Sequence, residues 1–180
     1  IDGIEQALTT LPRHEPLEGV IIDLRASDQG APAVAIETLR AFVEGNVGEF
    51  HSRLGNEPIE IEPNDLAEQY ADIPLVVLVN GGSASASEIV AGAIQDRGRG
   101  VLIGETTFGK GSVQSIFQLK NGEGLRLTTA RYYTPSGVTI HEKGVDPQVN
   151  VVMTPEEDSQ LRLQRSRSDV TDAKEFVDRF

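Results

Sequence analysis

Pro74-Leu-Val-Val-Leu-Val-Asn80 runs directly into Gly81-Gly82 and then into Ser83-Ala-Ser-Ala-Ser-Glu88, the start of a stretch rich in small residues that continues to Asp96. A continuously apolar, β-branched run predicts a strand buried on both faces, the pattern of a helix-covered parallel sheet. The two glycines turn the chain sharply, and Ala84 to Asp96 predicts a helix ended by Gly98. Gly100-Val-Leu-Ile-Gly104 predicts the next buried strand. Strand, helix and strand at this spacing form a βαβ unit, so the two strands are expected to be parallel. The loops that follow them, after Asn80 and after Gly104, therefore converge at one end of the sheet.

The rest of the chain fits one α/β domain. Gly19-Val-Ile-Ile-Asp23 predicts a further buried strand, and Asp23 to Ala31 a polar, turn-rich connection. Val34, Ile36, Leu39, Phe42 and Val43 recur at helical spacing, which predicts a helix from Pro32 to Glu44 closed by Gly45. Residues 46–72 read as a polar excursion with one hairpin through Gly48–Ile61. Gln114–Leu119 and Leu125–Tyr133 alternate in polarity across Asn121-Gly122, a hairpin signal. Ile4 to Leu11 predicts a short helix stopped by Pro12, and Thr154 to Phe180 two charged helical pieces at the domain edge. The expected organisation is a single domain over 1–180, with its core at about 17–150 and a helical tail at about 154–180.

Charge and composition exclude several functions. Sixteen basic against 28 acidic residues give a net charge of −12, which disfavours phosphate backbones and anionic membrane surfaces as partners. The absence of cysteine excludes disulfides, thiolate metal sites and a cysteine nucleophile. His14, His51 and His141 are scattered without ligand spacing, so neither a metal nor another cofactor is expected. No stretch approaches the roughly 20 apolar residues that span a bilayer. Ile1-Asp2-Gly3-Ile4-Glu5 shows no basic or apolar leader.

Ser85 reads in two ways. Ser85-Ala86-Ser87-Glu88 has the capping-box pattern, in which the serine caps the helix and the glutamate reaches back. The same junction would suit a nucleophile, because a helix N-terminus offers free N–H groups and partial positive charge to a developing oxyanion. A serine hydroxyl needs a base. Lys110, one of only four lysines, lies in Phe108-Gly-Lys-Gly111 after the second strand of the unit, where the loops converge. Beside Phe108 and between glycines its amine could be desolvated. Asn80 and Asp96 read as turn and helix-end residues, Arg25, Arg131 and Tyr132 as braces of the sheet, and His141 as a packed or surface histidine.

Gly19–Arg25, Gly82–Ile89, Gly104–Gln114, Ala130–Gly137 and Ile140-His141 with Gly144–Pro147, in that order, resemble the C-terminal processing peptidases, or tail-specific proteases. The resemblance implies a fold like the Clp protease and crotonase group, with stacked ββα units and a mostly parallel sheet. It implies a serine endopeptidase with Ser85 as nucleophile, Lys110 as base, Gln114 positioning the lysine, and the Ala86 and Gly30 amides as oxyanion hole. Polypeptides with apolar C-termini are the implied substrates, and the periplasm, a lumen or the cell exterior the implied location. Two departures stand out. Asp23-Leu-Arg-Ala-Ser-Asp-Gln-Gly30 lacks the family's Pro and the first Gly of its pair, and the sequence begins after the place where the family's PDZ domain would lie, as expected of either a fragment or a minimal variant. Two rival expectations follow: a binding or scaffold module with an altered oxyanion loop at Gln29, and a crotonase-type acyl-CoA enzyme. The oligomeric state is open.

Overall fold

The structure, a computed structural model, describes Ile4, Leu8 and residues 17–28 and 30–165. Its elements are β1 (Val20–Asp23), α1 (Pro32–Leu39), β2 (Gly45–Ser52), β3 (Gly55–Ile61), α2 (Asp65–Gln69), β4 (Leu75–Val79), α3 (Ala86–Asp96), β5 (Val101–Gly104), β6 (Ser112–Gln118), β7 (Gly124–Tyr133), β8 (Val149–Asn150) and α4 (Pro155–Arg165). The chain divides into two compact units, Ile1–Asn150 and Val151–Phe180.

In the first unit β1, β4, β5 and β8 form a four-stranded sheet in the order β1-β4-β5-β8. Every pairing in it is parallel, as the βαβ pattern predicts. Val77 and Val79 of β4 and Leu102 of β5 are fully buried. Each apolar side chain of this size stabilises the fold by about 1.5–3 kcal/mol on leaving water. A second sheet is antiparallel, in the order β3-β2-β7-β6. It joins the two expected hairpins through a β2–β7 pairing in which Phe50 faces Tyr132.

Helix α3 touches β5 of the parallel sheet, β2 of the antiparallel sheet and helix α1. Contact on several sides explains its composition, because a helix surrounded by protein has no polar face to spare. Every residue from Ala86 to Ile94 is buried.

Three expectations change in detail. Helix α1 stops at Leu39 instead of running to Glu44. The chain turns through Arg40–Phe42, so Phe42 and Val43 enter the core from a turn. The Phe42 carbonyl released by that turn accepts from Arg99 Nε at 3.1 Å. Strand β1 is a sheet edge, and its Ile21 is 69% exposed. An apolar run alone does not distinguish an edge strand from a central one. The two-residue strand β8, too short for any periodic signal, goes unpredicted.

Gly104 marks where β5 leaves the sheet toward the loop carrying Lys110. Its φ is +133°, and a Cβ there would lie 1.9 Å from the carbonyl oxygen of Val79 on the neighbouring strand. Gly104→Ala combines positive-φ strain with a backbone clash, and we expect it to destabilise the protein by about 3 kcal/mol. A shift of the urea midpoint at unchanged m-value is the readout, and an unshifted midpoint contradicts the account.

The second unit contributes α4, whose first turn is a capping box. Thr154 N–H and Oγ1 both meet Glu157 Oε2, at 2.7 and 2.9 Å, and Glu157 N–H donates to Thr154 Oγ1 at 3.3 Å. The second expected helical piece of the tail and most of the Ile4–Leu11 helix lie outside the described residues, although Ile4 and Leu8 are both helical. Among the described residues no helix is long and apolar enough to cross a membrane.

Candidate active site

The turn after β4 is stitched to the loop after β1. Asn80 Oδ1 accepts from Gly82 N–H and Ala26 N–H, each at 3.0 Å. Ser83 Oγ accepts from Asn80 N–H at 3.0 Å and donates to the Leu24 carbonyl at 2.8 Å. The Ser27 carbonyl accepts from Ala84 N–H at 2.9 Å and from Ser87 Oγ at 3.0 Å. These bonds separate three serines that look equivalent in sequence. Ser83 and Ser87 are buried and spend their hydroxyls on backbone carbonyls. Ser85 is half-buried and opens into a cavity, with Oγ donating a long bond of 3.4 Å to the Gly30 carbonyl.

Ser85 is also the most constrained of the three. Its φ of 61° and ψ of −118° lie in a region that costs a non-glycine residue on the order of 1–3 kcal/mol. Only two other described non-glycine residues have positive φ, Ala26 and Glu142. Ala26 is held by Asn80, and Glu142 N–H donates to the Gly109 carbonyl at 2.8 Å, so all three border the loops that meet here. The Ser85 carbonyl accepts from Glu88 N–H at 3.0 Å and Ile89 N–H at 3.2 Å, which starts α3. Among the described residues the Ala86 N–H has no acceptor. Gly30, with φ +138°, packs so closely that an added Cβ would sit 2.9 Å from Ala86 Cβ. Gln29 lies outside the described residues.

Glu88 ties the serine turn to the lysine loop. Its side chain is fully buried. Oε2 accepts from Ser85 N–H at 3.0 Å and from Lys110 N–H at 2.7 Å. Oε1 accepts from Thr107 Oγ1 and Gly109 N–H, both at 2.6 Å. The reach-back half of the predicted capping box is therefore present, but it is one of four bonds to the same carboxylate. Thr107 Oγ1 in turn accepts from Val145 N–H at 2.7 Å, and Phe108 N–H donates to the Ser83 carbonyl at 3.0 Å. The sequence pattern shows Glu88 only as a cap. What it hides is the long-range half, because Thr107, Gly109 and Lys110 come from beyond the next strand.

Ser85, Lys110, Gln114 and Gly30 line one cavity of about 280 Å³. Pro32, Ile89, Val113 and Ile140 give it apolar walls. Tyr132 closes another side and is buried, its hydroxyl donating to the Val47 carbonyl at 2.7 Å. Burial pushes that phenol well above its usual range, so it stays a neutral brace. No hydrogen bond joins Lys110 to Ser85 or to Gln114 in the free protein, and both Lys110 and Gln114 are exposed. Phe108, expected to shield the lysine, is 67% exposed.

Asn80 and Asp96 stand at a turn and a helix end, as expected. Arg25 forms a two-point pair with Asp23, Nε to Oδ1 at 3.0 Å and Nη2 to Oδ2 at 2.8 Å, beside the first loop. His141 is not among the residues that line the cavity, and its backbone N–H donates to Thr139 Oγ1 at 3.2 Å. Among the described residues no three metal-capable side chains converge.

The family described as Peptidase family S41 matches residues 2–151. A carboxy-terminal-processing protease of Bartonella bacilliformis is 46% identical over 139 residues, covering 76% of this chain and 32% of the relative. The carboxy-terminal processing protease CtpA of Bacillus subtilis is 39% identical over 132 residues, covering 73% and 28%. Among solved structures, a photosystem II D1 C-terminal processing protease superposes with a TM-score of 0.76 at 37% identity, over 84% of this chain and 39% of that one. The tricorn protease, at 18% identity and a TM-score of 0.51, shares the fold. The chain thus spans about a third of the length of these processing-protease relatives.

Proposed function

The chain belongs to peptidase family S41, and on that premise we propose that it is the catalytic core of a serine endopeptidase with Ser85 as nucleophile and Lys110 as base. One observation carries the reading. Of the three serines in the turn, Ser85 alone opens into a cavity, where its hydroxyl makes only a long bond of 3.4 Å to the Gly30 carbonyl, and it shares that cavity with a lysine.

The reaction is acyl transfer. Lys110 Nζ accepts the proton of Ser85 Oγ as the oxygen attacks the peptide carbonyl. The oxyanion is held by the Ala86 N–H, which has no other acceptor among the described residues, and by the Gly30 amide. Lys110 then gives its proton to the leaving amine, and water hydrolyses the acyl-enzyme. Gln114, on the same cavity wall, positions the lysine amine. Because Lys110 is exposed in the free protein, the bound substrate has to displace water from around it.

The apolar walls suit polypeptides with apolar C-terminal residues. An extracytoplasmic location is part of the same reading.

An acylating serine-hydrolase probe tests the reading directly. The expected result is a single adduct mapped by mass spectrometry to Ser85, absent from Ser85→Ala and much slower in Lys110→Ala. An adduct on another serine, or labelling indifferent to Lys110, contradicts it. No labelling of a folded protein would leave a binding module in its place.

A further inference from the structure

One residue of the Ser85 cavity has no part in the chemistry above. Arg126 lines the same cavity as Ser85, Lys110 and Gln114. In the β6–β7 register Gln114 faces Thr128 and Ile116 faces Arg126. Residues two apart on a strand share a face, so Arg126 stands on the Gln114 side of the ribbon. Its guanidinium has no ion pair or hydrogen bond among the described residues.

The charges around it make this arrangement selective. The chain carries 28 acidic and 16 basic residues, yet no Asp or Glu lines this cavity, whose two ionisable cations are Lys110 and Arg126. A larger cavity of about 590 Å³ on the same unit shows the contrast, with Glu44, Asp65 and Glu68 in its walls. The overall negative field repels acidic segments of a substrate, so a carboxylate close to the scissile bond needs a local partner. A guanidinium presents a planar fork of donors that matches a carboxylate at two points. An open arginine is worth little in water, but a peptide lying in the cavity would cover it.

We propose that Arg126 is a specificity-determining residue that binds a substrate carboxylate next to the scissile bond. The carboxylate is either the peptide's own C-terminus or an acidic side chain. The proposal rests on the reading of the Ser85 cavity as the peptide site, and its test is therefore built on binding, which does not require turnover.

Fluorescent, unstructured peptides are titrated against the Ser85→Ala protein by anisotropy. One pair differs only in a free C-terminal carboxylate against a carboxamide. A second pair, both amidated, differs only in Glu against Gln near the middle. We expect the carboxylate member of one pair to bind about tenfold more tightly, the scale of a hydrogen-bonded charge pair. Preference in the first pair assigns the C-terminus, and preference in the second assigns the side chain. Adding Arg126→Ala should erase the preference, and Arg126→Glu should reverse it in favour of a peptide with Lys at the same position. A structural loss would not produce that reversal. Equal binding within both pairs, or a preference that survives Arg126→Ala, overturns the proposal even if Ser85 proves to be the nucleophile. A preference dependent on Arg126 in a protein whose Ser85 does not acylate upholds the carboxylate site and removes the dyad instead.

Discussion

Replacing Glu88 by alanine is expected to destabilise the protein by about 3–5 kcal/mol and to abolish peptidase activity in whatever folded fraction remains. The carboxylate is fully buried and holds Ser85 N–H, Lys110 N–H, Gly109 N–H and Thr107 Oγ1. Its removal leaves three backbone donors and a hydroxyl in a cavity with no acceptor, each unmet donor costing about 1–3 kcal/mol with incomplete additivity. Glu88→Gln is the sharper variant. Its amide has one oxygen, and the donors fall into two pairs, Thr107 with Gly109 on Oε1 and Ser85 with Lys110 on Oε2. Either orientation of the amide keeps one pair and turns an NH₂ against the other. If the oxygen stays with Thr107 and Gly109, the serine and lysine backbones lose their shared anchor. Glu88→Gln should therefore fold, with a lowered urea midpoint, and lose kcat more than KM, because it moves the reacting groups without altering the apolar walls. A Glu88→Gln protein of unchanged kcat would show that the carboxylate does not align Ser85 with Lys110.

The same residue shows where the sequence is legible and where it is not. The β4–turn–α3–β5 unit can be read because each signal is local: a continuous apolar run, two glycines, small residues at helical length, then a second run. Convergence of the loops after β4 and β5 follows from parallel pairing alone, which is why Lys110 could be placed near Ser85 before any coordinates. Pairings between distant segments leave no comparable trace. The β2–β7 ladder joins residues about 80 positions apart and turns two hairpins into one sheet. Ser83, Ser85 and Ser87 are identical in type and spacing, and only the carbonyls of Leu24 and Ser27 and the opening of the cavity distinguish them. Arg126 sits in an alternating strand where an exposed arginine is unremarkable. Its meaning comes from the acid-free walls around it, which are assembled from five separate segments.

Ser85→Ala and Lys110→Ala are each expected to lower kcat/KM by about a thousandfold or more, and the double variant by no more than either alone. Two residues that pass a single proton act as a unit, so removing the second has nothing left to damage. Stability should barely change, because Lys110 is exposed and alanine at position 85 meets the same positive-φ strain that serine already bears. Unfolding free energies matching the parent within about 0.5 kcal/mol would therefore separate lost chemistry from lost fold. Lys110→Arg isolates the role of the amine. Arginine retains the positive charge beside the cavity but cannot give up its proton at any working pH, so it could still attract an oxyanion and could not activate a serine. If Lys110 is the base, the arginine variant should be as inactive as alanine and should fail to label at Ser85. Substantial activity with arginine would assign Lys110 an electrostatic role and require another group to take the Ser85 proton. Activity losses that multiply in the double variant would mean that the two residues, although they share one cavity, act in different steps.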